Sequence, residues 1–189
     1  YERECSVQRR RQKVIEEAPS NFVSESLRQK LCDASLKIVH AVGYHSVGTV
    51  EFVVVDESNS DLNSGEDFYF LEMNTRLQVE HGVTEAVTGL DLVQLQIAVA
   101  EGEVLPISQS DIVLKRHAIE VRLCAEQPTN QFQPMTGTIN YWSVPQSRGL
   151  RIDTGVCSGT EISVFYDSLI AKIIAIEPTR EKALRRLRN

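Results

Sequence analysis

From Ser24 onward, apolar residues recur at Leu27, Leu31, Leu36, Val39 and Val42, with polar residues between them. That spacing predicts a helix, and Gly43 stands where its C-terminal cap belongs. Residues 47–56 are rich in Val and Phe and predict a buried strand. The polar stretch 57–66 follows, and 68–73 predicts a second strand, so the two should pair as an antiparallel hairpin over a mobile loop. Val87, Leu90, Val93, Ile97 and Ala100 fall on one side of a predicted helix over 84–101, with Gly102 at its end. After Pro106 the texture changes. Short β-like segments follow at 117–125, 138–144, 150–154, 161–166 and 169–176, separated by Gly and Pro. Thr179 then caps a last helix with Glu181 in its first turn and Arg185, Arg186 and Arg188 near its end. Residues 2–17 are dense in charge, and Pro19, Ser20 and Asn21 mark a break. The pattern predicts an α+β chain, mixed over 1–105 and mainly β over 106–189.

Composition narrows the class. Of 189 residues, 42% are hydrophobic and 24% charged, which excludes a collagen, a coiled coil and wholesale disorder. No apolar run approaches the roughly 20 residues of a membrane helix, so no membrane partner is expected. Lys plus Arg number 20 against 26 Asp plus Glu, a net charge of −6, so nucleic acid is not an expected partner either. Cys5, Cys32, Cys124 and Cys157 form no C-x-x-C pair and have no His cluster near them, so neither zinc nor a disulfide framework is expected. They fit a reducing intracellular compartment, and no secretory leader is visible. The chain opens on Tyr1 rather than Met and stops at Asn189 inside a helical pattern, as an excerpt of something longer would.

Candidate chemistry concentrates in Glu72-Met73-Asn74-Thr75-Arg76-Leu77-Gln78-Val79-Glu80-His81. In an extended chain, residues two apart share a face, so Glu72, Asn74, Arg76, Gln78 and Glu80 would line one side. Oxygen ligands so spaced suit a hard cation such as Mg²⁺, and Glu51 in the paired strand could add a carboxylate beside Glu72. Arg76 offers a planar fork for a carboxylate, bicarbonate or phosphate. An amphipathic strand with its polar face in water gives the same alternation. Against that bland alternative stand an Asn placed between potential metal ligands and both signs of charge on one short face.

This segment, continued by Val83-Thr84-Glu85 and Thr88-Gly89-Leu90-Asp91-Leu92-Val93, strongly resembles the biotin carboxylase signature. So do residues 2–10 and 12–19, Gly48-Thr49-Val50-Glu51-Phe52, His117-Ala118-Ile119-Glu120-Val121-Arg122 and Tyr166-Asp167-Ser168-Leu169-Ile170-Ala171-Lys172. The blocks stand in family order over nearly the whole chain. The resemblance implies an ATP-grasp ligase that carboxylates biotin with bicarbonate and ATP through carboxyphosphate, using Mg²⁺ or Mn²⁺. It implies Glu51 and Glu72 as metal ligands with Asn74 assisting, and Gln8 at the nucleotide. Lys13, Arg76, Gln78 and the backbone of Val79 would hold bicarbonate, Glu80 would deprotonate it, and Arg122 would stabilise the biotin enolate. A base, an anion clamp and a metal are what phosphoryl transfer to bicarbonate requires.

By the same resemblance, 1–105 is the distal part of the ATP-grasp domain, and 106–189 is the biotin carboxylase C-terminal domain, truncated at its end. The family's N-terminal domain and glycine-rich phosphate lid are absent, so the chain is expected to be inactive alone. Implied partners are a biotin carboxyl carrier domain, a carboxyltransferase and a second copy in a homodimer, with Arg151 a candidate dimer contact. The implied compartment is the cytoplasm or the mitochondrial matrix. Alternatives are another ATP-grasp ligase of the urea carboxylase or carbamoyl phosphate synthetase type, or a non-catalytic dimerisation fragment. Taken alone, Arg9, Arg10, Arg11 and Lys13 could be a solvated basic turn or a nucleic-acid patch, and Glu120 with Arg122 a surface ion pair. His81 is expected to be structural, and Cys5 is not expected to be a nucleophile. The chain departs from the family at Gly82, where Pro is usual, at Arg11, and at Gln127-Pro128, where Asp-Pro is usual.

Overall fold

A computed structural model describes residues 1–55 and 67–189. The polar stretch expected to form a loop at 57–66 lies outside the described residues. In chain order the strands are β1 (Glu4–Arg9), β2 (Gln12–Ala18), β3 (Thr49–Val54), β4 (Phe68–Asn74), β5 (His117–Cys124), β6 (Glu126–Gln127), β7 (Gln133–Pro134), β8 (Gly137–Thr138), β9 (Leu150–Thr154), β10 (Glu161–Ile162) and β11 (Leu169–Glu177). The helices are α1 (Glu25–Ala41), α2 (His81–Thr88), α3 (Leu92–Ala100) and α4 (Arg180–Arg188).

An antiparallel five-stranded sheet, ordered β1-β2-β5-β11-β9, dominates the molecule. It takes strands from both sides of residue 105. Strand alternation gives it two different faces. Ala18, Ala118 and Ile174 pack with Val83 and Val87 of α2 on one face. Ile119 and Ala175 pack with Ala183 of α4 on the other, flanked by Ile15 and Leu187. On that second face Glu17 receives His117 and Arg180, each at 2.7 Å. Although burial pushes the Glu17 carboxyl up, the hydrogen bonds from His117 and Arg180 bring it down to about 2.

Charge did not prevent residues 4–18 from forming two strands. Their reversal uses Arg10 and Arg11 at φ of 51° and 67°, the left-handed pair that a tight hairpin turn needs. Arg10 and Arg11 are exposed there, while Lys13 turns inward. α1 begins on Ser24, whose side chain accepts from the backbone of Leu27, as its spacing predicted. The helix expected over 84–101 is instead two helices bent by 101°. Gly89 ends α2 at φ 77°, and the Asp91 side chain accepts from the backbone of Gln94 to start α3. The expected strands at 138–144 and 161–166 shrink to two-residue pieces, β8 and β10. No single helix among the described residues is long and apolar enough to cross a membrane.

Candidate active site

The predicted hairpin forms, with Glu51 directly opposite Glu72. Just beyond that pair the register shifts, because Phe52 faces Phe70 and leaves Leu71 as the extra residue of a bulge. Such a bulge re-aims neighbouring side chains. Asn74 donates 3.1 Å bonds to Oε1 of both Glu51 and Glu72, so all three side chains meet at one point.

The extended reading of 72–80 ends at Asn74. From there the chain bends, and a turn in which His81 donates its backbone N–H to Gln78 O leads into α2. Single-face alternation is therefore lost after Asn74, yet the turn achieves a similar convergence. Gln78 Nε2 reaches Glu51 at 2.7 Å, and Lys13 Nζ joins Glu51 at 2.7 Å to Glu80 at 2.6 Å. Arg76 donates to Asn74 Oδ1 at 3.2 Å. Lys172 holds the turn from below, donating to the carbonyl of Val79 at 2.9 Å. Arg3, which the sequence reading passed over, braces Gln78 at 2.7 Å, Thr49 at 2.9 Å and Thr84 at 3.0 Å. Gln8 stands apart from this cluster, bonding the Cys5 carbonyl on an exposed stretch. His81 Nδ1 lies 2.8 Å from Gln78 O, the structural role expected of it.

Glu80 occupies the cap position of α2 but spends its carboxylate elsewhere, on Lys13 and on Arg122 Nη2 at 3.0 Å. It is 2% exposed. Burial alone would raise its pKa. The hydrogen bond from Lys13, a backbone N–H and the Lys13 charge reverse that and hold it below the ordinary carboxylate range. The result is a buried, ionised carboxylate, the state a general base requires. Burial, reinforced by the Glu80 charge, pushes the nearby Cys5 thiol up to about 12, so it is no nucleophile at neutral pH.

Arg122 does not pair with Glu120 across the surface. Its Nε reaches Glu16 Oε1 at 2.6 Å and its Nη2 reaches Glu80. Arg151, a candidate dimer contact in the sequence, bonds Glu85 at 2.7 Å and Asp153 at 2.8 Å within the chain.

Among the described residues no group of three or more His, Cys, Asp or Glu is set to hold a metal ion. The oxygen donors at the hairpin are two carboxylates, with the Asn74 amide turning its nitrogen to both and its oxygen to Arg76. That set fits Mg²⁺, which commonly takes one or two carboxylates and completes its shell with water and phosphate.

Residues 1–108 match the family described as carbamoyl-phosphate synthase L chain, ATP binding domain. Residues 120–189 match the biotin carboxylase C-terminal domain. The chain belongs to the biotin carboxylase family. It is 50% identical over 187 residues to biotin carboxylase 2 of Bacillus subtilis, covering 99% of this chain and 40% of that one. To the mitochondrial methylcrotonoyl-CoA carboxylase subunit alpha of Dictyostelium discoideum it is 49% identical over 190 residues, covering 100% of this chain and 26% of the other. The biotin carboxylase domain dimer of Hydrogenobacter thermophilus 2-oxoglutarate carboxylase, solved with MgADP, ADP and bicarbonate, superposes with a TM-score of 0.90 at 44% identity. That likeness covers 98% of this chain and 39% of the solved one. As a biotin carboxylase family member, the chain thus spans well under half the length of these relatives, and its fold is the distal ATP-grasp part with the C-terminal domain.

Gly82, the departure nearest Glu80, has a packing explanation. A Cβ on residue 82 would sit 2.5 Å from Ile174 Cδ1, so the tip of Ile174 fills the space a larger residue would take. The signal for this was in the sequence only as an unexplained glycine.

Proposed function

We propose that the full-length parent is an ATP-dependent ligase that carboxylates biotin on a carrier domain with bicarbonate, through carboxyphosphate. The observation that carries this is Glu80, an ionised and buried carboxylate shared between Lys13 and Arg122. Bicarbonate would displace part of the Lys13 ion pair and lie against Lys13, Arg76, Gln78 and the backbone of Val79, with Glu80 taking its proton. The carboxylate so formed attacks the γ-phosphate of ATP, and ADP leaves. Arg122, already beside the base, then faces the ureido oxygen of biotin and stabilises the enolate as the ring nitrogen bonds to the carboxyl carbon of carboxyphosphate, inorganic phosphate leaving and taking the N–H proton. Glu51, Glu72 and Asn74 would hold Mg²⁺ or Mn²⁺, which neutralises phosphate charge when bound. Gln8 would contact the nucleotide.

Residues 1–105 are proposed as the ATP and bicarbonate part and 106–189 as the C-terminal domain, the two sharing the five-stranded sheet. The partners proposed for the parent are the carrier domain, a carboxyltransferase and a second copy. Its compartment is proposed as cytoplasm or mitochondrial matrix. Without the remainder of the relatives' length, the 189-residue chain should bind ATP weakly and turn over little, since phosphoryl transfer rests on positioning and enclosure.

The test uses the full-length parent. Glu80→Gln should lower bicarbonate-dependent ATP cleavage by about 10²–10⁴. Arg122→Gln should spare much of that cleavage and chiefly impair biotin carboxylation. Equal loss of both activities in both variants would overturn the roles, and biotin-independent kinetics in the wild type would favour a carbamoyl phosphate synthetase type of ligase.

A further inference from the structure

The sheet face under α2 is apolar at one end and charged at the other. Ala18 lies opposite Ala118, and one step along the same face Glu16 lies opposite Glu120. A further step along, Arg122 lies opposite Lys172. Glu16 and Glu120 are both fully buried, at 0% exposure. Side chains so opposed leave Cβ atoms about 4.5–5.5 Å apart. Arg122 occupies Glu16 Oε1, but Glu16 Oε2 and both oxygens of Glu120 have no hydrogen-bond partner among the described residues.

Resting on the function proposed above, we infer that Glu120 is a positioning residue for biotin carboxylation: a carboxylic acid that donates its proton to Glu16 and through Glu16 fixes Arg122. Two ionised carboxylates cannot satisfy each other, because each only accepts. Three orphaned oxygens facing across one strand pair would be strongly unfavourable if both groups were charged. A single proton satisfies two of the three and removes one of the two charges. Glu120 becomes a donor, Glu16 Oε2 accepts, and Glu16 Oε1 remains for the guanidinium. The charged groups around Glu120 are Glu16 from β2, Arg122 on its own strand, Lys172 from β11, Asp153 from β9 and Glu80 at the head of α2. Lys172, the cation that could have paired with Glu120, gives its Nζ to the Val79 carbonyl and to Asp153 at 3.3 Å. Burial pushes the Glu120 carboxyl up to about 8, opposed by Lys172 and helped by Glu16. At neutral pH it therefore carries the proton. Gly82 covers this carboxyl closely, since its missing Cβ would lie 3.3 Å from Glu120 Oε2.

The residue is not a catalytic group, because nothing places it against substrate. It acts through Arg122, and its loss of a proton would add a negative charge beneath both Arg122 and Glu80. Two measurements on the full-length parent test this. The infrared difference spectrum between wild type and Glu120→Gln at pH 7 should contain a protonated carboxyl band that converts to carboxylate above about pH 8, read without turnover. In kinetics, Glu120→Ala leaves Glu16 Oε2 unsatisfied and should lower biotin carboxylation about tenfold, with ATP cleavage changed much less. Glu120→Gln, the isostere of the neutral acid, should restore carboxylation at pH 7 and remove the decline above pH 8. A carboxylate band at pH 7, a Glu120→Gln variant as impaired as Glu120→Ala, or one that does not fold would each overturn the inference. A wild-type parent without biotin-dependent ATP cleavage would instead overturn the proposed function, and the infrared band would still decide where the proton sits.

Discussion

The charged face beneath α2 and the β3–β4 hairpin invert the usual arrangement of a folded chain. Beneath α2, Glu16, Glu80 and Glu120 are buried. On the hairpin, Tyr69, Phe70 and Leu71 are 60%, 56% and 58% exposed. Buried charge survives only where partners are fixed, and here Lys13 of β2 and Arg122 of β5 supply them to Glu16 and Glu80 from within the chain. The hairpin's interior contacts are few, chiefly edge-on rings with Phe52 5.4 Å from Phe68 and 6.5 Å from Phe70. One region is therefore over-determined by its neighbours, and the other mainly by its own two strands.

The sharpest way to break this contrast is Arg122→Met. It strands Glu16 without a cation, leaves Glu80 with Lys13 alone, and should cost about 3–5 kcal/mol in urea unfolding. Adding Glu16→Gln should recover part of that loss, and simple additivity would show that the pair is not coupled. Next comes Glu17→Gln, at about 2 kcal/mol near pH 7, through three charge-assisted hydrogen bonds, one from His117 and two from Arg180. The Glu17 carboxyl titrates at about 2 when folded and at its ordinary 4.5 when unfolded. Its stabilisation is thus complete above about pH 4.5 and is lost as pH falls towards 2. The gap between wild type and variant should close over that window, and a gap constant with pH would refute the assignment.

Gly82→Ala should cost about 1–2 kcal/mol by overpacking against Ile174 Cδ1. Ile174→Val removes that atom, so the double variant should be more stable than the sum of the single losses. The smallest effects belong to the hairpin. Tyr69→Ser and Leu71→Ser should each change unfolding free energy by no more than about 0.5 kcal/mol. A larger loss at either position would mean that the hairpin is held by more than its own pairing.

Sequence reading succeeded where the signal was local. Ser24 and Thr179 cap their helices, and Glu51 meets Glu72 across β3 and β4 as the hairpin pattern required. It failed where tertiary context inverted the local preference. β1 and β2 are strands despite Glu, Gln, Lys and Arg, which strands ordinarily disfavour, because their inward charges find partners on β5 and α2. Gly89 and Asp91 carry the signals of a stop and a start, and the continuous apolar stripe through Val87 and Val93 masks them. Glu16 left no trace at all. Its importance depends on Arg122, 106 residues away, and on Glu120 opposite.

β11 lies between β5 and β9 and hydrogen-bonds to both, yet it follows every other strand of that sheet along the chain. It also brings Lys172 to the carbonyl of Val79, 93 residues earlier. Such distant pairings close slowly, because the chain loses much of its freedom before the contacts repay it. During translation, Lys13, Glu51, Glu80 and Arg122 all emerge before the strand that completes the sheet beneath them. The ordering of this centre is consequently tied to the emergence of β11 from the ribosome, and a stall before residue 177 would leave its charges hydrated and unassembled.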